Sequence, residues 1–257
     1  MITAAGDIAA SGGSQAATAT LVTTINPTAA LTLGDNAYEN GALGDYSSFY
    51  QPSWGSFLTK TDPVPGNHDY QTSGAGGYFS YFGARAPAGY YSYEVGSWHL
   101  IALNSEIAHT AGSAQDSWLL NDLASHPNAC TLAYWHKPRF SSGSSHGSDT
   151  SFTRFWQDLS AANAELVLNG HEHNYERFAS QNPSGAADPG SGIREFVVGT
   201  GGKSHYGFGA TPIANSQISN GTTYGVLKLT LHANSYDWQF LPVAGQTFTD
   251  SGSGSCH

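Results

Sequence analysis

The chain has 257 residues, with 9 Lys and Arg against 19 Asp and Glu for a formal net charge of −10, and only 11% of its residues are charged. So few cations cannot build the basic footprint that nucleic-acid binding requires. No apolar run approaches the ~18 residues that span a bilayer, while 39% hydrophobic residues, with 12% aromatic, can bury a sizeable core.

No repeat of roughly 20–50 residues is visible, and residues 1–257 read as a single domain. Met1 leads into Ile2-Thr3-Ala4 with neither a charged nor an apolar leader. The low-charge, Ser-, Thr-, Gly- and Tyr-rich composition is that of an exported protein. The expectation is a secreted or periplasmic chain, its signal peptide removed before Met1. Cys130 and Cys256 lack any metal or redox spacing, so they are either one disulfide or two inert thiols. A crosslink would tie down a carboxyl-terminal tail that otherwise reads as structureless.

In chain order, Ile2–Asp7 is a short buried strand, followed by a helix over Gln15–Ile25 that stops at Asn26-Pro27. Ala29–Leu33 is a second apolar strand. A helical stretch is expected from Tyr46 to Leu58, and Pro63-Val64-Pro65 leads into Gly66-Asn67-His68-Asp69. Tyr90–Asn104 forms two strands around Gly96-Ser97. Helix Ala114–Ala124 precedes strand Thr131–Trp135, and helix Phe152–Ala162 precedes strand Glu165–Leu168. Arg194–Val198, Thr223–Leu231 and Tyr236–Pro242 are strands with no helices between them. Ser141–Ser151 and Gln181–Gly192 read as surface loops. The pattern predicts a mixed sheet, or a pair of packed sheets, flanked by helices.

Five of the strands end in a turn that carries potential metal ligands: Gly6-Asp7, Gly34-Asp35-Asn36-Ala37-Tyr38, Gly66-Asn67-His68-Asp69, Trp135-His136 and Gly170-His171-Glu172-His173. A lone Gly-Asp after a strand is an ordinary turn. Repetition changes that reading, because neighbouring strands deliver their carboxyl ends to one edge of a sheet, where α/β folds build their sites. Carboxylates crowded together repel one another, and a metal ion is the natural neutraliser.

These five blocks, in this order, resemble the metallophosphoesterase superfamily, and Tyr38 in Gly-Asp-x-x-Tyr makes the chain similar to the purple acid phosphatases within it. Ser113–Leu123 resembles the family's Gln-x-x-Trp-Leu-x-x-Asp-Leu helix, and Val197–Gly202 its Gly-x-Gly-Gly strand end. The resemblance implies an α/β (mixed α+β) fold, a β-sandwich of two mixed sheets flanked by helices. It also implies two metal positions. The first takes Asp7, Tyr38 and His173, with Asp35 bridging; the second takes Asp35, Asn67, His136 and His171. A phenolate with two carboxylates favours Fe³⁺, and two imidazoles with an amide oxygen suit Zn²⁺, Mn²⁺ or Fe²⁺. The implied activity is hydrolysis of small phosphate monoesters by a hydroxide held between the ions. By the same analogy His68 binds phosphate and protonates the leaving group, Asp69 orients the His68 ring, and His146 reaches over the substrate from its loop.

Lys137 stands where the family often has a second histidine, as added positive charge or as a solvated side chain. Glu172 and Arg177 could form an ion pair, and His205 could border the site. His99, His109, His126 and His232 read as structural, and Asn220-Gly221-Thr222 fits a glycosylation acceptor. Phosphodiesterase or nucleotidase activity on the same fold is the alternative. A non-catalytic, metal-dependent binding module is the reading from a different class. Its signature would be a missing ligand, and all seven are in place.

Overall fold

The computed structural model describes residues 1–127 and 130–257, and its strands form two mixed sheets. In the six-stranded sheet, β1 (Ile2–Ala5), β2 (Ala29–Leu33) and β3 (Thr61–Val64) run parallel. On the other side of β1 the antiparallel strands β11 (Gly225–Leu231), β12 (Ser235–Pro242) and β13 (Asp250–Ser255) complete the order β13-β12-β11-β1-β2-β3. The seven-stranded sheet has a parallel centre of β5 (Trp98–Ala102), β6 (Cys130–Tyr134), β7 (Leu166–Asn169) and β9 (Arg194–Val198). Antiparallel β4 (Tyr91–Val95) closes one edge, and β8 (Tyr175–Phe178) with β10 (Ser216–Asn220) the other.

Side-chain alternation explains the layering. Leu100, Ala102, Leu132, Tyr134, Leu166 and Leu168 face the first sheet and pack with Ile2, Ala4, Leu31 and Leu33 in one core. Their neighbours Ile101, Leu103, Ala133, Trp135 and Val167 point to the opposite face. There they meet Leu119 and Leu123 of helix α4 (Ala114–Ser125) and Phe155, Trp156 and Leu159 of α5 (Thr153–Ala161). Strands buried on both faces read as continuous apolar runs, as these do. Helix α1 (Gln15–Ile25) covers the first sheet with Thr18, Ala19 and Val22. The one-turn α2 (Leu43–Asp45) and the short α3 (Gly76–Phe82) lie in the long connections beside β3.

Three expectations are corrected. Tyr46–Leu58 is not one helix but a π-helical turn, Tyr46–Tyr50, and a 3-10 segment, Trp54–Lys60. Pro52 lacks the amide that a continuous helix needs, yet Tyr46, Tyr50 and Trp54 still reach the core at helix-like spacing. The carboxyl-terminal tail is strand β13. Its Gly252 and Gly254 lie over the rings of Trp238 and Tyr236, where an added Cβ would come within 2.3 Å and 2.4 Å of ring atoms. Strands β8 and β10 also formed where no element was expected. Cys130 and Cys256 are joined by a disulfide, Cα atoms 5.7 Å apart, which fastens the end of β13 to the start of β6. Among the described residues no helix is long and apolar enough to cross a membrane.

Burial sets the sign of the pH dependence of this fold. Glu165, beneath the disulfide, is pushed up to about 7 by desolvation, against the pull of the Thr131 and His257 amides. Asp62 is pushed up to about 6 by burial despite Arg85. Burial also raises Glu195. The folded state therefore holds protons that the unfolded chain has lost, and each such carboxyl adds stability as pH falls from its raised value toward its ordinary one. Between about pH 8 and about pH 5 the melting temperature is expected to rise. Glu165→Gln is expected to flatten the part of that rise that builds below about pH 7, as read by thermal unfolding across pH. A melting temperature that falls over this interval would refute the assignment.

Candidate metal centre

Each cluster of polar residues follows the carboxyl end of a strand: Asp7 after β1, Asp35 after β2, Asn67 after β3, His136 after β6, and His171 and His173 after β7. The backbone there is unusual. Asp7, Asp35 and His171 are non-glycine residues with positive φ, at 59°, 49° and 71°. Such conformations cost energy and persist where the surroundings fix them. The fixing bonds run between the turns: Asp7 N–H donates to the Gly34 carbonyl, Ile8 N–H to Asp35 and Gly170 N–H to His136.

The glycines before the ligands are required by close approach. A Cβ on Gly34 would fall 2.5 Å from His136 Nδ1, at a φ of +84°. A Cβ on Gly66 would fall 2.3 Å from Asp35 Oδ1. The turns pack so tightly that Gly34 and Gly66 are each in contact with another turn's ligand.

The donor atoms form two groups that share one oxygen. Tyr38 OH lies 2.9 Å from Asp7 Oδ1, 3.0 Å from Asp35 Oδ2 and 3.1 Å from His173 Nε2. His136 Nε2 lies 3.3 Å from the same Asp35 Oδ2, 3.2 Å from Asn67 Oδ1 and 3.2 Å from His171 Nδ1. The remaining valences face away and are held. Asp7 Oδ2 accepts from the His171 amide, and Asp35 Oδ1 from the His68 amide, both at 2.8 Å. His136 Nδ1 donates to the Leu33 carbonyl at 2.8 Å, and His173 Nδ1 meets Ser204 Oγ at 3.1 Å. These outer bonds leave Nε2 of both rings, and one oxygen of each carboxylate, directed inward as lone pairs.

Electrostatics show what such a cradle lacks. Burial opposes charge on Asp35, but the His136 side chain overrides it and holds the carboxyl below its usual range. Burial likewise opposes charge on His136, yet Asp35 and Asp7 push it up to about 10. His171 is pushed down to about 2 by burial and by His136. Burial and the two aspartates hold the Tyr38 phenol far above its ordinary value. Without a cation the cluster must trap a proton among mutually repelling donors. Oxygen and imidazole donors in this number and spacing fit metal ions, and Asp7, Asp35 and His136 bring ligand atoms within 4.8 Å of one another.

All seven expected ligands converge, and the flanking residues separate. His68 stands at the rim, its ring tilted 4.5 Å from that of Tyr38 and its Nε2 4.0 Å from Asp35 Oδ2. Asp69 does not orient that ring. Its carboxylate accepts from the Gly66 amide, from Asn36 and from Tyr46 OH at 2.6 Å, bracing the turn from beneath. The His68 ring is held instead by the Glu39 carbonyl, 2.6 Å from Nδ1. His146 stacks on His171 at 3.9 Å, and its loop is pinned where the amides of His146 and Gly147 donate to buried Glu172.

Glu172 is thus a loop anchor. Arg177 pairs with Asp250 and not with Glu172, because β8 turns it toward β13. Lys137 pairs with Glu106 at 2.8 Å, and the His205 ring packs at a tilt against Tyr224. Two rim groups carry no signal in the five blocks. Tyr206 stacks flat on His173 at 3.9 Å, and Lys203, ion-paired to Glu39, lies 4.6 Å over the Tyr38 ring.

With this geometry in place, comparison with known proteins is decisive for the family. The family model described as calcineurin-like phosphoesterase matches residues 1–175, which include all seven donors. The chain belongs to the calcineurin-like phosphoesterase family. It is 30% identical over 191 residues to purple acid phosphatase 15 of Arabidopsis thaliana, which covers 59% of this chain and 36% of that protein. Purple acid phosphatase 18 of the same plant is 33% identical over 118 residues, 44% of this chain and 26% of that one. The chain therefore spans about a third of the length of the curated relatives it matches.

Among solved structures, purple acid phosphatase PPD1 from yellow lupin (Lupinus luteus) seeds superposes with a TM-score of 0.80 at 18% identity, over 99% of this chain and 53% of that one. A protein described as GAP50, the anchor in the inner membrane complex of Plasmodium, superposes with a TM-score of 0.75 at 14% identity, over 97% and 87%. At these identities the likeness is one of fold: the two-sheet calcineurin-like phosphoesterase architecture.

The packing of the turns carries a test. Gly66→Ala is expected to push Asp35 and His136 apart, costing about 1–3 kcal/mol of stability and weakening metal uptake. Gly44→Ala, a glycine with open space around it, is expected to do neither. Thermal unfolding and metal titration of the two variants check this, and equal behaviour would refute the close-approach argument.

Proposed function

We propose that the chain is a metal-dependent phosphoesterase that hydrolyses phosphate monoesters at a dinuclear centre, Fe³⁺ beside a divalent Zn²⁺, Mn²⁺ or Fe²⁺. The observation that carries the reading is the division of the donors into two groups around a shared Asp35 Oδ2. The first group, Asp7, Tyr38, Asp35 and His173, is rich in hard anionic oxygen and suits a trivalent ion. The second group, Asp35, Asn67, His136 and His171, suits a divalent one. Ions bound there supply an activated water and neutralise charge on the phosphoryl oxygens.

The chain's own groups supply the rest. The Glu39 carbonyl accepts from His68 Nδ1 and so leaves Nε2 on the side of Asp35, where it can hold a proton against the leaving oxygen. His146, half open to solvent and stacked on His171, forms the opposite wall. Glu172 fixes that wall through backbone amides, so the loop approaches substrate as a set element. We take the substrates to be small phosphate esters, with diesters and nucleotides as the alternative. A nucleic-acid or membrane partner is not part of the reading. A secreted or periplasmic setting accords with the low charge content and with the Cys130–Cys256 disulfide.

An element-by-element metal count on protein purified without chelator tests the reading. About one iron and one divalent ion per chain are expected, with visible phenolate-to-iron absorption that disappears in Tyr38→Phe. Asp35→Ala is expected to lose both ions and all turnover. His68→Ala is expected to keep both ions while kcat falls about 10²–10⁴-fold. Two bound ions with no hydrolysis of any activated ester would leave a binding module in place of an enzyme.

A further inference from the structure

A second group of metal-type ligands lies at the other end of the seven-stranded sheet. Glu94 on β4 and His99 on β5 are direct cross-strand partners. Asp122 and His126 belong to the last turn of α4 and its cap. His99 pairs with Thr131 near the start of β6, five residues before His136, which is ~16 Å along a strand. Nothing in the phosphoesterase reading uses these residues.

Their hydrogen bonds fix the tautomers. His126 Nδ1 lies 2.8 Å from the Asp122 carbonyl, which only accepts, so the proton sits on Nδ1 and Nε2 carries a lone pair. That lone pair lies 3.8 Å from Glu94 Oε1. His99, buried to 1% exposure, places Nε2 2.7 Å from Asp122 Oδ2, and Ser92 Oγ steadies the other oxygen of that carboxylate at 2.6 Å. Its Nδ1 lies 2.7 Å from the same Glu94 Oε1. With His99 neutral and donating to Asp122, three Lewis-basic atoms are left close together: His99 Nδ1, His126 Nε2 and Glu94 Oε1. The ligand atoms of these three residues lie within 4.8 Å of one another.

A positive charge has to stand among them. One candidate is a proton on His99 Nδ1; the carboxylates of Asp122 and Glu94 raise the His99 pKa against the opposing effect of burial. The other is a divalent cation. We propose that Glu94, His99 and His126, oriented by Asp122, form a mononuclear divalent-cation site of the Zn²⁺ class, separate from the dinuclear centre.

Two imidazoles and a carboxylate make a three-ligand set with an open fourth position, and the half-exposed Glu94 and one-third-exposed His126 leave that position to solvent. The two rings are stacked at 3.8 Å and 16°. Coordination therefore requires His126 to tilt out of the stack, which its place at the end of α4 permits. Asp122 would accept from both rings, as residues behind metal-bound histidines do. The ion would fasten edge strand β4 to α4, in exchange for the proton that otherwise holds them.

The test uses the full chain with its dinuclear centre filled. Titration with Zn²⁺ at about neutral pH is expected to add one further ion per chain and raise the melting temperature. Calorimetry in two buffers of different ionisation enthalpy is expected to show about one proton released per ion. Glu94→Gln and His126→Ala are expected to abolish the additional ion and its thermal shift. Both variants should keep the two original ions and the wild-type kcat/KM, so failure of this site is distinguishable from failure of the phosphoesterase reading. A wild-type protein that takes no further ion at saturating Zn²⁺ overturns the proposal. So does an additional ion that both variants retain.

Discussion

One carboxylate oxygen, Asp35 Oδ2, stands between two groups of electron-rich atoms, and the surrounding structure serves to keep it there. A buried carboxylate is expensive unless it is paired, and so is an imidazole beside another imidazole. The fold meets the cost from behind, with backbone amides on the outward oxygens, the Leu33 carbonyl on His136 Nδ1 and the Ser204 hydroxyl beside His173 Nδ1. The inward atoms are left in mutual repulsion that only cations relieve. The glycines preceding Asp35 and Asn67 let the turns close to within van der Waals contact, and the positive φ at Asp7, Asp35 and His171 points the side chains into the gap. The parallel strands of two packed sheets bring the turns together; glycine and strained backbone bring the atoms together.

The division of labour between the sheets follows from the same constraint. Asp7, Asp35 and Asn67 come from β1, β2 and β3 of one sheet, and His136, His171 and His173 from β6 and β7 of the other. Neither sheet owns a complete ligand set. The interface between them, packed with Ile2, Leu31 and Leu33 against Leu132, Leu166 and Leu168, therefore sets the distance between carboxylates and imidazoles. Interiors of this kind resist compression and deformation. Core substitutions far from the centre are then felt as changes in ligand spacing.

The parts of this arrangement that were legible in the sequence share a property: they are local. Gly6-Asp7, Gly34-Asp35 and Gly170-His171 each declare a strand end and a ligand within two residues, and their repetition after apolar runs carried the fold as well as the site. What was not legible depends on partners distant in the chain. The orientation of His68 comes from a carbonyl, that of Glu39, and a backbone acceptor has no residue signature. Asp69, beside His68 in sequence, faces the other way, to Asn36 and Tyr46. Glu172 acts through the amides of a loop some 25 residues earlier. Strand β13, written in serine and glycine, has almost no intrinsic strand preference. It forms because Trp238 and Tyr236 offer flat surfaces that only glycine can approach and because Cys256 is bound to Cys130.

On the proposed reading a chain with a net charge of −10 has to receive an anion, and the charges at the rim of the centre bear on how. Lys203 lies over the Tyr38 ring and Lys137 comes close enough to act on His171, yet each is answered by a glutamate, Glu39 and Glu106. Among the described residues the rim therefore presents no standing cationic patch, and long-range steering of an anion would be weak. Attraction must come from the centre itself, where bound ions would exceed the charge of Asp7 and Asp35 at short range. On the proposed reading such a site would select for the group that reaches the ions and not for the body that carries it, since the side chains at its rim, His146 and Tyr206, offer ring faces stacked on His171 and His173. Specificity would then reside in the loops that carry His146 and Tyr206. They are the elements whose positions the strand-end blocks do not determine.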